Sequence, residues 1–166
     1  MAEITTPREL FVHELGDILY VEQQLAQEVL PMLINEAQLD EFRKALEKHL
    51  DETRGHITNL EQVFDLMGEP PKAETCMGFE GLKKEHEELA AKVSPDLRED
   101  VHAGAVARTE HYEIAAYSAL IEKARALGEQ DAVTLFEENL KEERAALRNA
   151  ESIEKTLRDE LKAAAS

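Results

Sequence analysis

The sequence contains no tryptophan, a single cysteine (Cys76), five prolines and seven glycines in 166 residues. One cysteine cannot close an internal disulfide, and it excludes a cysteine-rich zinc or iron–sulfur site, so any metal has to rest on carboxylate and imidazole. Basic residues are scarce, with 19 Lys and Arg against 36 Asp and Glu, giving a formal net charge of −17. Such a surface repels phosphate backbones and anionic headgroups, so neither nucleic acid nor membrane is the expected partner. Long apolar runs are missing as well. The stretches from Val29 to Ile34 and from Ile114 to Ile121 are interrupted or far short of the roughly 20 residues that cross a bilayer. No basic-then-apolar signal opens the chain, and the expected compartment is the cytoplasm. Against these absences stand 43% hydrophobic and 33% charged residues, the balance of a globular protein with a real core. The chain therefore reads as one domain over 1–166, its core over about 7–150 and the remainder a helical extension or a frayed tail.

Abundant Ala, Leu, Glu and Lys predict an all-α protein. Thr6-Pro7-Arg8-Glu9 combines a capping threonine, a proline at the first helical position and a glutamate three residues after the cap, which starts a helix by satisfying its orphan amides. Helix A runs from there over about residues 7 to 35, with Phe11, Leu15, Ile18, Glu22, Leu25, Val29 and Met32 on one face and Pro31 bending its last turn. Helix B, about 38 to 67, has the seam Phe42, Leu46, His49, Thr53, His56, Leu60, Val63 and Met67, and Gly68 stops it. Residues 69 to 100 form a long connection with a short amphipathic helix near Gly81 to Val93. Ser94-Pro95 opens helix C, about 96 to 127, with Val106, Glu110, Glu113, Tyr117, Leu120, Ala124 and Leu127 on its stripe and Gly128 as its terminator. Helix D follows from about 130, with Val133, Phe136, Leu140, Glu143, Leu147 and Ala150. Two short links and one long one predict an antiparallel four-helix bundle with a B–C crossover.

Each seam carries an ionisable residue near its middle, where a bundle ordinarily places leucine. Residues equidistant from the turn of a helical hairpin lie side by side. Glu22 and Glu52 are equidistant from residue 37, in the A–B turn, and Glu113 and Glu143 are equidistant from Gly128. The two pairs have the same spacing, so the hairpins read as structural repeats, and each helix supplies one carboxylate to a common layer. His49 and His56 lie three residues before and four after Glu52, and Glu110 lies three before Glu113, which brings them to the same layer. Free anions and imidazoles at this density cannot share a dry core, and a pair of cations would neutralise them. Hard oxygen donors with a little imidazole suit iron or manganese. Glu52 and Glu143 are read as bridging ligands, Glu22 and Glu113 as terminal ones, with His49 and Glu110 completing the shell and His56 as a further candidate.

Plainer readings stand beside these. A single seam glutamate can snorkel out between helices, and either histidine can be a hydrogen-bonded core residue. Tyr117, one turn beyond Glu113, suits plain packing as well as a hydrogen bond to a ligand or a redox role. Glu61, Glu137, Glu138 and Glu142 point away from the seam as solvated charges. His13, His86, His102 and His111 have no periodic reason to reach the layer, and Cys76 reads as a small structural apolar residue.

Several motifs together, Leu10-Phe11 with Glu22-Gln23-Gln24-Leu25, His49-Leu50-Asp51-Glu52-Thr53, Leu60-Glu61-Gln62-Val63-Phe64, Glu110-His111-Tyr112-Glu113-Ile114 with Tyr117, and Leu140-Lys141-Glu142-Glu143, resemble the YciE/YciF-type branch of the ferritin-like superfamily over about residues 8 to 150. Cys76 ahead of Gly81-Leu82 is similar to that branch too. The resemblance implies a ferritin-like fold, a dinuclear metal site, a homodimer and a bacterial stress-associated role, and it places Glu22, His49, Glu52, Glu110, Glu113 and Glu143 on the family's charged motif positions. The family more often has glutamine at the position of His56, so a ligand there is a reading of this sequence alone. The Glu-x-x-His spacing that many ferritin-like sites carry on their second and fourth helices is absent there, since histidine precedes Glu52 by three residues and helix D has no histidine, so ferroxidase or catalase activity does not carry over. The expected function is a protein binding two iron ions, or manganese, that reacts with peroxide or dioxygen. The alternative is a non-catalytic metal-binding stress or scaffold protein acting through a protein partner, and whether the chain is an enzyme stays open.

Overall fold

A computed structural model describes residues 3–164. The first helix, α1 (Pro7–Gln24), begins as its capping sequence dictates: Thr6 Oγ1 accepts from the Glu9 N–H at 3.2 Å and Glu9 Oε2 accepts from the Thr6 N–H at 3.0 Å. The helix continues without a break through a widened π turn, Leu25–Val29, into α2 (Leu30–Glu36). Pro31 lacks an N–H, and its ring conflicts with the carbonyl four residues back in a regular α-helix. The disturbance takes the form of this π turn, in which the Leu30 N–H bonds the Leu25 carbonyl.

The next helix, α3 (Asp40–Leu66), has Leu39 at its cap, a residue with no oxygen to offer the orphan amides. Glu99 supplies it from elsewhere in the fold. Its carboxylate, 3% exposed, accepts from the Gln38 N–H at 2.7 Å and the Leu39 N–H at 3.0 Å, so a cap contributed across the bundle ties helix start to helix start. Glu99→Ala strips both amides of their acceptor and is expected to cost about 1–3 kcal/mol. A urea denaturation midpoint unchanged from the parent would contradict this.

Gly68, at φ 67°, ends the second rod, and residues 67–76 cross over the face of α1. Passage needs a glycine at position 16: the Glu74 N–H bonds the Gly16 carbonyl at 3.0 Å, and a Cβ on Gly16 would lie 2.7 Å from the Lys72 carbonyl oxygen. The crossover helix α4 (Met77–Ala90) packs on α5 (Pro95–Leu127), and α5 turns at Gly128, φ 82°, into α6 (Gln130–Ala164). The segment expected as extension or tail is helical through the described residues, and it buries Ile153. The rods α1–α2, α3, α6 and α5 surround the core in that order. Phe11 and Tyr117 pack on Phe136 at ring-centroid distances of 6.1 and 6.2 Å. The fold is the expected helical bundle with a helix-bearing crossover, without strands among the described residues. None of their helices is long and apolar enough to cross a membrane.

Candidate metal centre

Halfway along the bundle the apolar seam gives way to buried polar groups. Helix α1 contributes Glu22, α3 contributes His49, Thr53 and His56, α5 contributes Glu110, Glu113 and Tyr117, and α6 contributes Asn139 and Glu143, none more than 4% exposed. Two sets of ligand atoms converge among them. One atom each from His49, Glu110, Glu113 and Glu143 lies within 4.8 Å of the others, and the same holds for Glu22, His56 and Glu143. Glu143 belongs to both sets.

The histidine–carboxylate approaches inside the cluster lack the direction of hydrogen bonds. His49 Nε2 lies 3.1 Å from Glu110 Oε1 and His56 Nδ1 lies 2.8 Å from Glu143 Oε1, yet neither imidazole nitrogen has a hydrogen-bond partner. Both carboxylate oxygens of Glu113 and of Glu143, with Oε2 of Glu22 and of Glu110, are buried and unpaired as well. Buried polar groups are nearly always bonded, so this concentration of orphans marks groups arranged around common points rather than toward one another. Two divalent ions would balance the four carboxylates, and the oxygen-rich donor set with two imidazoles fits iron or manganese. The buried His/Glu groups could therefore hold metal.

Without a cation the cluster is strained electrostatically. Burial pushes the carboxyls of Glu22, Glu113 and Glu143 up, Glu143 to about 7. At Glu113 the carboxylates of Glu143, Glu22 and Glu110 add to burial, because like charges in a dry site oppose ionisation. Burial disfavours a charged imidazole, but Glu22 and Glu143 outweigh it and raise His56 to about 11. His49 is likewise raised against its burial, chiefly by Glu110. In the metal-free protein protons thus partly stand in for cations.

Residues around the cluster hold its members. The Tyr117 hydroxyl donates to Glu22 Oε1 and accepts from Asn139 Nδ2 at 3.1 Å, and Asn139 Oδ1 in turn accepts from Asn59 Nδ2 at 2.7 Å. Tyr117 is thus a hydrogen-bonding neighbour of a candidate ligand as well as a packing residue. Glu142, expected among the solvated charges, has Oε2 2.9 Å from His56 Nε2, a contact that places the proton on Nε2 and leaves Nδ1 facing the cluster.

Six of the seven residues singled out from the sequence, Glu22, His49, His56, Glu110, Glu113 and Glu143, converge here, and Glu52 does not. Its half-buried side chain joins neither set of ligand atoms. It pairs with Lys48 and has Oε2 3.8 Å from His49 Nδ1, and the His49 contact, with Lys48 adding, holds its carboxyl below the usual range. Fully buried Thr53 takes its height in the core. Asn139 and Glu142 escaped the sequence reading. Asn139 lies three residues after Phe136 and four before Glu143, so the α6 spacing itself signals it. Glu142 sits off that stripe and has no such signal. His86 and His102 stay clear of the layer, as expected, but are buried and joined: His86 Nε2 lies 2.8 Å from His102 Nδ1, and His102 Nε2 lies 3.0 Å from Glu36 Oε2. Cys76 is buried, as a structural residue should be, with Sγ 2.8 Å from the Tyr112 hydroxyl.

Residues 6–165 match the family described as a domain of unknown function, DUF892. The chain is 32% identical over 142 residues to the protein YciF of Escherichia coli K12, covering 84% of this chain and 85% of that protein. The crystal structure of the E. coli stress protein YciF superposes with a TM-score of 0.86 at 29% identity, covering 94% of this chain and 99% of that one. YcfI of Rhodopseudomonas palustris superposes equally well, TM-score 0.86 at 36% identity over 90% of this chain and 95% of that one. A Xanthomonas campestris protein, 21% identical with a TM-score of 0.71 over 95% of this chain and 99% of its own, shares the fold.

Proposed function

Because the chain belongs to the DUF892 family, in its YciF-type branch, we propose that it is a stress-associated protein whose buried cluster binds two iron ions, or manganese, and reacts with peroxide or dioxygen. The observation that carries this reading is the pair of buried ligand sets sharing Glu143, filled with unpaired donor atoms. On this reading His49, Glu110 and Glu113 hold one ion, Glu22 and His56 hold the other, and Glu143 lies between them. Two such ions supply the two electrons that cleavage of an O–O bond takes up. The protein residues do the rest. Tyr117 fixes the Glu22 carboxylate through its hydroxyl, Asn139 fixes Tyr117, and Glu142 sets the His56 tautomer, so that ligand geometry is held by partners outside the cluster. Phe11, Phe136 and the leucines above and below exclude bulk water, which strengthens each electrostatic interaction within. A cytoplasmic homodimer belongs to the same proposal.

Elemental analysis after anaerobic addition of ferrous iron tests the reading. Two ions per chain are expected, followed by consumption of one peroxide per pair without reductant and of many equivalents per site when an added reductant such as ascorbate returns the ions to the ferrous state. Two ions with no turnover would replace the catalyst by a metal-bearing scaffold acting through a protein partner, and no stoichiometric metal would overturn the site. Sedimentation at twice the 18.7 kDa chain mass checks the dimer.

A further inference from the structure

Beside the cluster the packing opens. A cavity of about 230 Å³ lies between the π turn, α4 and the middle of α5, walled by Leu25, Val29, Leu33, Phe79, Leu82 and Val106. Protein interiors hold few voids larger than a water molecule, and apolar cavities of roughly 150 Å³ take up benzene rather than water. This one is not a closed packing fault. Its rim carries Glu28, Lys83 and Glu87, and its wall includes Glu110, a carboxylate 1% exposed whose Oε1 faces His49 and whose Oε2 has no hydrogen-bond partner. The cavity thus lies beside one of the candidate metal ligands. His86 lines it too, with its ring fixed from behind by His102 and Glu36. The π turn widens the helix at this place, as π turns often do at functional sites, and the Lys83–Glu28 ion pair ties that turn to α4 across the rim.

We infer that this cavity binds a small uncharged organic molecule with an apolar body of about six to nine carbon atoms, seated beside Glu110. Anions are disfavoured by Glu28, Glu87 and Glu110, since Lys83 is already paired with Glu28. Cations are disfavoured by apolar walls that cannot replace hydration. The molecule's use as a reactant or effector of the metal pair rests on the function proposed above, and its binding does not.

The probe is 1-hexanol, added to the protein as purified and followed in methyl NMR spectra. Saturable shifts concentrated on Leu25, Val29, Leu33, Leu82 and Val106 are expected. Ala105, which lines the cavity from α5, offers a filling variant: Ala105→Phe is expected to weaken binding by about tenfold or more, with helical circular dichroism and iron uptake unchanged. Shifts that grow linearly without saturation, that scatter over the surface, or that persist undiminished in Ala105→Phe would overturn the inference. Should that variant fail to fold, the shift map of the unaltered protein decides. Hexanol binding without iron uptake would refute the metal reading and leave the cavity standing, whereas iron uptake without hexanol binding would do the reverse.

Discussion

Glu143→Ala protein is expected to lose both metal ions at once, with affinity down by more than about 100-fold. Glu143 is the one residue shared by the two ligand sets, so its removal takes a donor from each cation and leaves three carboxylates where four balanced two divalent charges. Losing any other ligand would disable one site and weaken its neighbour. Two comparison variants grade the effect. Glu142→Ala, which removes the partner of His56 Nε2, and Glu52→Ala, which removes the carboxylate beside His49 Nδ1, are each expected to weaken binding by about 10- to 100-fold while two ions still bind at saturation. Elemental analysis after dialysis against graded chelator separates the cases. If Glu143→Ala kept two ions per chain, or if Glu52→Ala lost them as completely as Glu143→Ala, the assignment of ligands would fail.

The second large effect is a reversal of the pH dependence of stability by metal. In the metal-free protein the Glu143 carboxyl is raised from 4.5 to about 7. The folded state therefore keeps a proton that the unfolded chain releases, so this stabilisation is complete below about 4.5 and is lost as pH rises through about 7, roughly 3 kcal/mol in all. Glu22 and Glu113, also raised by burial, act in the same direction. His56 does so at higher pH, its contribution fading between 6.5 and about 11. The buried His86 and His102, both lowered by desolvation, run the other way and lose stability as pH falls below the ordinary histidine range. A difference measurement isolates the cluster. With chelator present, stability of the parent should fall from pH 5 to 7.5 more steeply than that of Glu143→Gln, which has no proton to lose at that position. With ferrous iron or manganese the parent should instead gain stability over the same range, because cations bind the deprotonated ligands and displace their protons. Equal slopes for the two proteins in chelator, or no change of slope with metal, would contradict this.

The elements were legible because local rules govern them. Thr6-Pro7-Arg8-Glu9 is a complete capping box within about one helical turn, and the Gly128 turn needs only the left-handed backbone that glycine adopts at φ 82°. The seams of four helices follow from a period of 3.6, and nearly every residue named on them is buried. Even the height of the site was legible, since equal distance from a turn fixes how far along a hairpin two residues meet. The crossover helix began a turn earlier than expected, at Met77, because Phe79 is buried and extends its apolar face.

Glu52 shows where such reasoning stops. It has the right height and the wrong azimuth: one residue turns a helix by about 100°, and Thr53, not Glu52, continues the seam of His49, His56 and Leu60. The α3 seam already said so, and the symmetry of the two hairpins argued against it. Glu142 shows the complementary limit, for a residue off the α6 stripe reaches His56 only because α3 and α6 pack side by side. The sequence by itself determined an all-helical bundle, its turns, and a belt of carboxylate and imidazole at mid-height, because these depend on residues within a few turns of one another. Only the tertiary structure decided that Glu143 is shared between two ligand sets, that Glu99 caps a distant helix, that His86 meets His102, and that a cavity opens beside Glu110. Those facts depend on the rotation and spacing of whole helices, which many side chains settle together and no local period records.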